Sequence, residues 1–313
     1  GLIVFSFMTL TLTGLYTAQG DSKTPFLANL IGLVTNMILD PVLILGPGPF
    51  PKLGVVGAAI ATVTAQALSV VFAVVLLIKK ELPFTIKKSD FRLNPQCKSF
   101  LQIGLPLALQ EFLTQLSFLA LCAFVNRLGL EASSGYGVAC KIVNFAMLVP
   151  SSLMQSMASF VSQNVGAGKT KRAKQSMFTG IGVGLAVGCL VFVLVMFKGD
   201  VVAGIFSTDA SVIQNAFAYL KGFAPETLVT AILFSMVGYF NGNNKTVWVM
   251  TQGLIQTLLV RLPLAYFMSI QPNASLTKIG LAAPVATTVG IFLNVGFFIY
   301  LNRKEKAVTS PSS

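Results

Sequence analysis

The sequence has no histidine, only ten acidic residues and a single tryptophan. Without histidine there is no imidazole metal site, no Ser-His-Asp triad and no histidine proton relay. The four cysteines, Cys97, Cys122, Cys140 and Cys189, are too scattered for a CxxC metal site or a disulfide framework. Three of them fall inside apolar runs and read as small buried hydrophobes. Charge is also scarce. Asp, Glu, Lys and Arg make up 10% of the chain, against about 25% in soluble domains. With 54% hydrophobic residues, no soluble core could absorb the apolar surface, and the composition is that of an integral membrane protein. The net charge of +12 is not gathered on one segment, and no basic-aromatic element accompanies it, so nucleic acid is not an expected partner.

What is present is a succession of apolar runs. A membrane span takes about 20 mostly apolar residues. Spans are expected near 1–18, 25–46, 54–78, 99–126, 135–163, 175–197, 212–240, 246–270 and 278–301, about nine in all. The breaks carry turn residues and charge, as in GDSKTP, GPGPFPKLG, RLGLEASSG, FKGD, NGNNK and QPNAS. An apolar run begins at Gly1 with no charged segment before it, so it is not a signal peptide. The chain reads as cut there.

Lys and Arg give the orientation. Alternate loops on one side hold fifteen of the 22: Lys23, the 79–98 stretch, Lys169 to Lys174, Lys245, and Arg303 to Lys306. The other side holds Lys52, Arg127, Lys198 and Lys278, and three lie within spans. This bias places the C-terminus in the cytoplasm of a multi-pass cell-membrane protein. It also explains GAGKT, residues 166–170, which looks like the tail of a phosphate-binding loop. The glycine that such a loop needs five residues before Gly168 is replaced by Gln163, and a membrane span precedes the motif instead of a short strand. The cluster is a topology anchor that can sit against anionic lipid headgroups.

Two stretches repeat. GDSKTPFLANLIGLVTNMILDPVLIL from Gly20 resembles GNNKTVWVMTQGLIQTLLVRLPLAYF from Gly242, with Lys23-Thr24 and Pro41 matched by Lys245-Thr246 and Pro263 at an offset of 222. GAAIATV from Gly57 resembles GLAAPVATTV from Gly280. Both copies run from the cytoplasm outward, so the repeats are parallel, related by an axis along the membrane normal. The same offset carried back from Ser99 puts the start of the first half about 120–140 residues before Gly1, room for three more spans and most of a fourth. The expected fold is all-α and integral to the membrane, with two parallel-repeat six-helix bundles and 12 spans when intact. Residues 1–80 would end the first bundle, 81–97 connect, 98–303 form the second bundle, and 304–313 a cytoplasmic tail.

On these features the chain resembles the multidrug and toxic compound extrusion (MATE) family of secondary transporters. SQNVGAGKTKRA (162–173) is similar to the family's Q-N-x-G-A…R-A element after the second span of a half. QGDSKTP with its echo NGNNKT, LGVVGAAIAT (53–62) and GLPLALQE (104–111) add to the likeness, which covers the whole chain. The resemblance implies two bundles around a central cavity and export of organic cations driven by inward H⁺ or Na⁺. It also implies an acidic cation site in a first helix that lies before Gly1. Where the family carries an acid before Lys141, this sequence has Cys140.

Ionisable residues inside spans cost about 2.5–3.5 kcal/mol on insertion scales and so mark functional candidates. Glu111, twelve residues into its span, follows the kinking Pro106 and has Gln110 and Gln115 beside it. A carboxyl removed from water there could exchange a proton near neutral pH and discharge on meeting a cation. The plain alternative is an ion pair with Lys141. Glu226 follows Pro225, with Thr227 and Thr230 nearby, and could share H⁺ or Na⁺ with Glu111; the alternative is a structural pair with Lys221. Asp40 precedes Pro41 with Asn36 one turn before, and its counterpart Leu262 adjoins Arg261. It reads either as a cap on the proline break or as part of a cation site. Tyr239, Trp248 and Tyr266 could stack on flat cations. Gly180, Gly184 and Gly188 read as close helix packing.

The expected function is a secondary antiporter that exports organic cations or drugs in exchange for H⁺ or Na⁺ by alternating access. Its cation and substrate residues would be Glu111, Glu226, Asp40, Gln110, Gln115 and Asn36. No cofactor beyond the coupling ion, no metal and no catalytic set is expected. The expected partners are small organic cations and membrane lipids, around a monomer. The alternative is a flippase for a lipid-linked precursor, which Lys141 and Arg261 would suit. Residues 1–313 alone are expected not to transport, and robust cation efflux by them would overturn that expectation.

Overall fold

The computed structural model describes residues 3–46, 51–79 and 95–309. Among these residues every regular element is a helix. The helices are α1 (Ile3–Ala18), α2 (Lys23–Leu45), α3 (Val55–Lys79), α4 (Pro95–Asn126), α5 (Leu130–Gly166) and α6 (Thr170–Gly204). There follow α7 (Ala210–Phe223), α8 (Glu226–Gly242), α9 (Thr246–Leu254), a π-helical turn (Ile255–Arg261), α10 (Leu262–Ile270) and α11 (Leu276–Thr309). Seven helical segments are long and apolar enough to cross a membrane, or eight if α7 and α8, bent by 50° at their junction, form one span. The chain is thus a multi-pass membrane protein. Large apolar side chains such as Phe292 and Phe197 lie on its surface, where a bilayer and not water is the matching solvent. Residues 81–94 of the expected 81–97 connector lie outside the described residues.

Two compact units, residues 1–93 and 94–313, divide the chain. In the first, α2 and α3 pack along their length. Gly57 makes this possible, because a Cβ there would run into the backbone carbonyl of Leu43. Asp21 organises the turn into α2 by accepting the N–H groups of Lys23 and Thr24, each at 3.1 Å, and the Thr24 hydroxyl at 2.8 Å. Tyr16, fully buried, donates its hydroxyl to the Ala73 carbonyl at 2.8 Å. Tyr16→Phe is expected to destabilise this unit by about 1 kcal/mol, the net worth of one such bond. An unchanged thermal midpoint would show that the bond contributes nothing.

In the second unit, α8 and α7 are central, packed on α5, α6 and α11. Small residues set the approach. Gly180, Gly184 and Gly188 line the face of α6 toward α8, and a Cβ at Gly188 would lie 2.5 Å from the Thr227 carbonyl oxygen. The expected glycine stripe is therefore a packing device, whereas Gly182, between them in sequence, meets nothing.

Several boundaries differ from the expected ones. FKGD does not end α6; the helix runs on to Gly204 across a kink at Lys198, whose φ and ψ are −133° and 19°. Likewise α5 begins at Leu130, five residues before the expected 135. GAGKT is the link between α5 and α6, with Gly168 at φ 71°, a conformation that favours glycine. The motif follows a 37-residue helix and not a strand, so it cannot be a phosphate-binding loop.

The sequence repeat has a structural counterpart. α2 and the α9–α10 segment each begin at the repeated Lys-Thr, carry the matched prolines Pro41 and Pro263, and are followed by a further long helix. They differ in one respect: α2 is α-helical throughout, while its counterpart contains the π turn.

Candidate functional site

Glu226 occupies the first turn of α8, immediately after the Ala224-Pro225 break. Proline cannot donate the hydrogen bond that would continue α7, so the chain bends there and a second helix starts inside the apolar region. Broken helices of this kind expose backbone ends within a membrane, and a carboxylate is favoured at the positive N-terminal end. The Thr230 hydroxyl, one turn on, donates to Glu226 Oε1 at 2.9 Å. The hydroxyl of Thr287 in α11 donates to the same oxygen at 2.8 Å. Oε2 is enclosed and has no hydrogen-bond partner. One oxygen is thus tied to the protein, and the other is enclosed with its acceptor capacity unused. Thr227, the other expected neighbour, bonds instead to the carbonyls of Ala224 and Gly188.

Thr287 belongs to a longer chain of polar side chains. Gln256 in the π turn donates to Thr287 at 3.0 Å, and Gln252 in α9 donates to Gln256 at 2.6 Å. These three residues went unrecognised in the sequence, where a threonine or glutamine inside an apolar run gives no sign of its partner on another helix.

Glu111 is placed differently from the expectation of an enclosed midplane acid. It stands on an exposed face of α4 and accepts the Gln115 amide at 2.8 Å, one turn away on the same helix. Gln110 lies against α9, where a Cβ at Gly253 would meet its amide nitrogen at 2.9 Å. Near this face is a cavity of about 540 Å³ whose lining includes Gln115, Phe118, Tyr136, Cys140 and Tyr219. That volume lies within the range of about 300–1,000 Å³ common for small-molecule sites.

The ion pairs that were the plain alternatives do not form. Lys141 lies 6.0 Å from the centroid of the Phe206 ring, Lys221 4.1 Å from that of Phe217, and Arg261 4.3 Å from that of Phe118. Each cation has turned to an aromatic face, which leaves the acids uncompensated by direct contact. Arg261 Nε is enclosed without a hydrogen-bond partner.

In the first unit, Asn36 lies 3.5 Å from the Thr62 hydroxyl, at the limit of a hydrogen bond. Both line a cavity of about 450 Å³ with Ser6, Gln66 and Ser69. Asp40, one turn from Asn36, has an enclosed Oδ1 that accepts no hydrogen bond. Of the three aromatic candidates, Trp248 is committed to structure, stacked on Phe297 at 4.1 Å and donating to Asn294 at 2.9 Å. Tyr239 is buried in the core, and Tyr266 is exposed.

The family model MatE matches residues 106–267, and that of the lipid II flippase MurJ matches residues 1–123. A probable multidrug resistance protein YoeA of Bacillus subtilis is 27% identical over 96% of this chain. A probable multidrug resistance protein NorM of Bacillus cereus is 31% identical over 85% of it. The chain spans 66% and 60% of the lengths of these two relatives. A solved outward-facing multidrug resistance MATE transporter shares the fold, with a TM-score of 0.87 at 18% identity, over 99% of this chain and 69% of that one. Since the MatE match alone takes in just over half of the residues, the chain belongs to the MatE family.

Proposed function

We propose that this chain is part of a secondary antiporter that exports organic cations or drugs in exchange for H⁺ or Na⁺ across the cell membrane. The observation that carries this reading is the Glu226 carboxyl, held at Oε1 by two hydroxyls and left without a partner at Oε2 inside an apolar helix bundle. A carboxylate so placed has three ways to be stabilised: a proton, a metal cation such as Na⁺, or the cationic group of a substrate. These exclude one another at a single oxygen, and such exclusion is what exchange requires. Each ligand need only prefer one facing state of the transporter, and that difference in affinity sets the coupling. Glu111, exposed and flanked by Gln115, is the other candidate acid of the same unit and is suited to receiving a cation from outside the bundle. Asp40 and Asn36 are a separate polar group in the first unit. Two relatives named as multidrug resistance proteins agree with a drug-like cargo.

A flippase for a lipid-linked precursor is the second reading, favoured by the MurJ match over residues 1–123 and by the unpartnered Arg261 Nε. A pyrophosphate headgroup would seek that guanidinium, whereas an organic cation would avoid it.

The test uses the complete reading frame in inverted membrane vesicles, with ΔpH or a Na⁺ gradient imposed separately and uptake of a fluorescent organic cation followed. Uptake under one gradient identifies the coupling ion. Uptake under neither, with a fluorescent lipid-pyrophosphate translocated instead, would establish the flippase. Glu111→Gln is expected to slow gradient-driven uptake about tenfold, the scale of one hydrogen bond to a charged group; an unchanged rate would remove Glu111 from the mechanism.

A further inference from the structure

The amide and hydroxyl groups that lead to Glu226 all point the same way. Gln252 Nε2 donates to Gln256 Oε1, Gln256 Nε2 to Thr287 Oγ1, and Thr287 Oγ1 to Glu226 Oε1. A carboxamide offers its oxygen as acceptor and its nitrogen as donor. With Gln256 Oε1 already occupied by Gln252, only its NH₂ faces Thr287. The Thr287 oxygen therefore accepts, and its single proton is directed to Glu226. Gln252, Thr287 and Thr230 are each about 1% exposed, so water has little access to these three side chains.

Two backbone features build the chain. The first is the π turn over Ile255–Arg261, closed by the Leu262 N–H on the Thr257 carbonyl. π turns are rare and occur often at functional sites, and the repeat-related helix α2 has none. The second is Gly290 of α11. A Cβ there would lie 2.6 Å from both Gln252 Nε2 and Gln256 Oε1, so this glycine leaves the space in which the two amides meet.

We infer that Gln256 and Thr287 are positioning residues for the coupling cation: the Gln252–Gln256–Thr287 chain fixes Glu226 Oε1 and so presents Oε2 to H⁺ or Na⁺. This rests on the reading of Glu226 as the ion site and adds to it the groups that hold it. Without the Gln256 amide, the Thr287 hydroxyl is free to turn toward a backbone carbonyl of its own helix. Oε1 then loses a donor, and the carboxyl is free to rotate between its two oxygens. The consequence falls on each ligand that takes Oε2, the coupling ion and the cationic group of the substrate.

The experiment measures transport by the full-length protein at varied coupling-ion concentration, pH for H⁺ and Na⁺ at fixed pH, and separately at varied organic cation. Thr287→Val removes the hydroxyl at constant shape, Gln256→Met removes the amide, Thr287→Ser restores the hydroxyl, and Glu226→Gln tests the site itself. Thr287→Val and Gln256→Met are expected to shift the half-saturating coupling-ion concentration about tenfold from wild type, and substrate KM with it, since both ligands take Oε2. Thr287→Ser is expected to behave as wild type. If Glu226→Gln is inactive while Thr287→Val and Gln256→Met keep the wild-type ion dependence, the chain is packing alone and the inference is overturned. If Glu226→Gln transports as wild type does, the reading of Glu226 itself has failed, and the positioning role with it. Two different positions are substituted so that failure of one variant to fold leaves the other to decide.

Discussion

Glu226→Gln is expected to lower gradient-driven uptake by about a hundredfold while leaving the protein folded and in the membrane. The substitution keeps the shape and both hydroxyl contacts at the oxygen that accepts from Thr230 and Thr287. It replaces Oε2, the atom without a partner, by an NH₂ group that cannot take up a proton or hold Na⁺. Hydrogen bonds and contacts to charged groups contribute about 1.5–3 kcal/mol each, and about 2.7 kcal/mol is two decades in an equilibrium. The amide also avoids placing a charge in an apolar bundle, so the variant should be no less stable than wild type. The measurement is initial uptake under the driving gradient, with membrane content followed by immunoblot. Retained coupled uptake would reduce Glu226 to a helix-terminal structural group.

The largest expected effect on folding is at Gly238. With Gly242 it forms the face of α8 that lies on α5, at four-residue spacing. A Cβ at Gly238 would meet the Met154 carbonyl oxygen at 2.6 Å and Met157 Cβ at 2.8 Å; at Gly242 it would meet Val161 Cβ at 2.6 Å. Backbone and Cβ atoms cannot step aside as the end of a flexible side chain can, so the helices themselves must separate. Gly238→Leu is expected to cost about 3 kcal/mol, the upper end of what overpacking produces. The check is the thermal midpoint of the purified protein in detergent, read by fluorescence-detected size exclusion. Gly182→Leu, at a position with nothing within 4 Å, is the matched control and should leave the midpoint in place. Equal losses in both would refute close α5–α8 packing as the cause.

The features legible in the sequence are those whose cause is local. Apolar runs of span length reappear as α2 to α6 and α9 to α11, because a bilayer-facing helix must be apolar along its whole length. The α6 stripe was marked by the spacing of Gly180, Gly184 and Gly188, whereas the α7–α8 break falls inside the single span expected over 212–240, although Pro225 stands at it. Gln115 could be placed beside Glu111 because residues four apart share a helical face. Features that depend on contacts between distant segments were not legible. Thr287 is 61 residues from Glu226, and only the packing of α11 on α8 brings the two together. The π turn contains neither glycine nor proline, since IQTLLVR would propagate an ordinary helix on local preference. The Lys141–Glu111 and Lys221–Glu226 pairs, the plain alternatives for these acids, are absent for a similar reason. Charge alone suggested them, while the rings of Phe206 and Phe217 supplied alternatives that a search for opposite charges does not consider.

Exchange at one carboxyl can be tested by reversing the usual driving force. Coupling between two ligands is reciprocal, so a gradient of organic cation must move the ion uphill. Proteoliposomes with the full-length protein would be loaded with organic cation and diluted into medium without it, with no ion gradient imposed. Internal pH would be followed with a trapped dye and Na⁺ uptake with a radioactive tracer. Entry of one of the two ions against its resulting gradient is expected, lost in Glu226→Gln. Exit of the organic cation with no opposing flux of either ion, or ion entry unaffected by Glu226→Gln, would contradict exchange at this carboxyl.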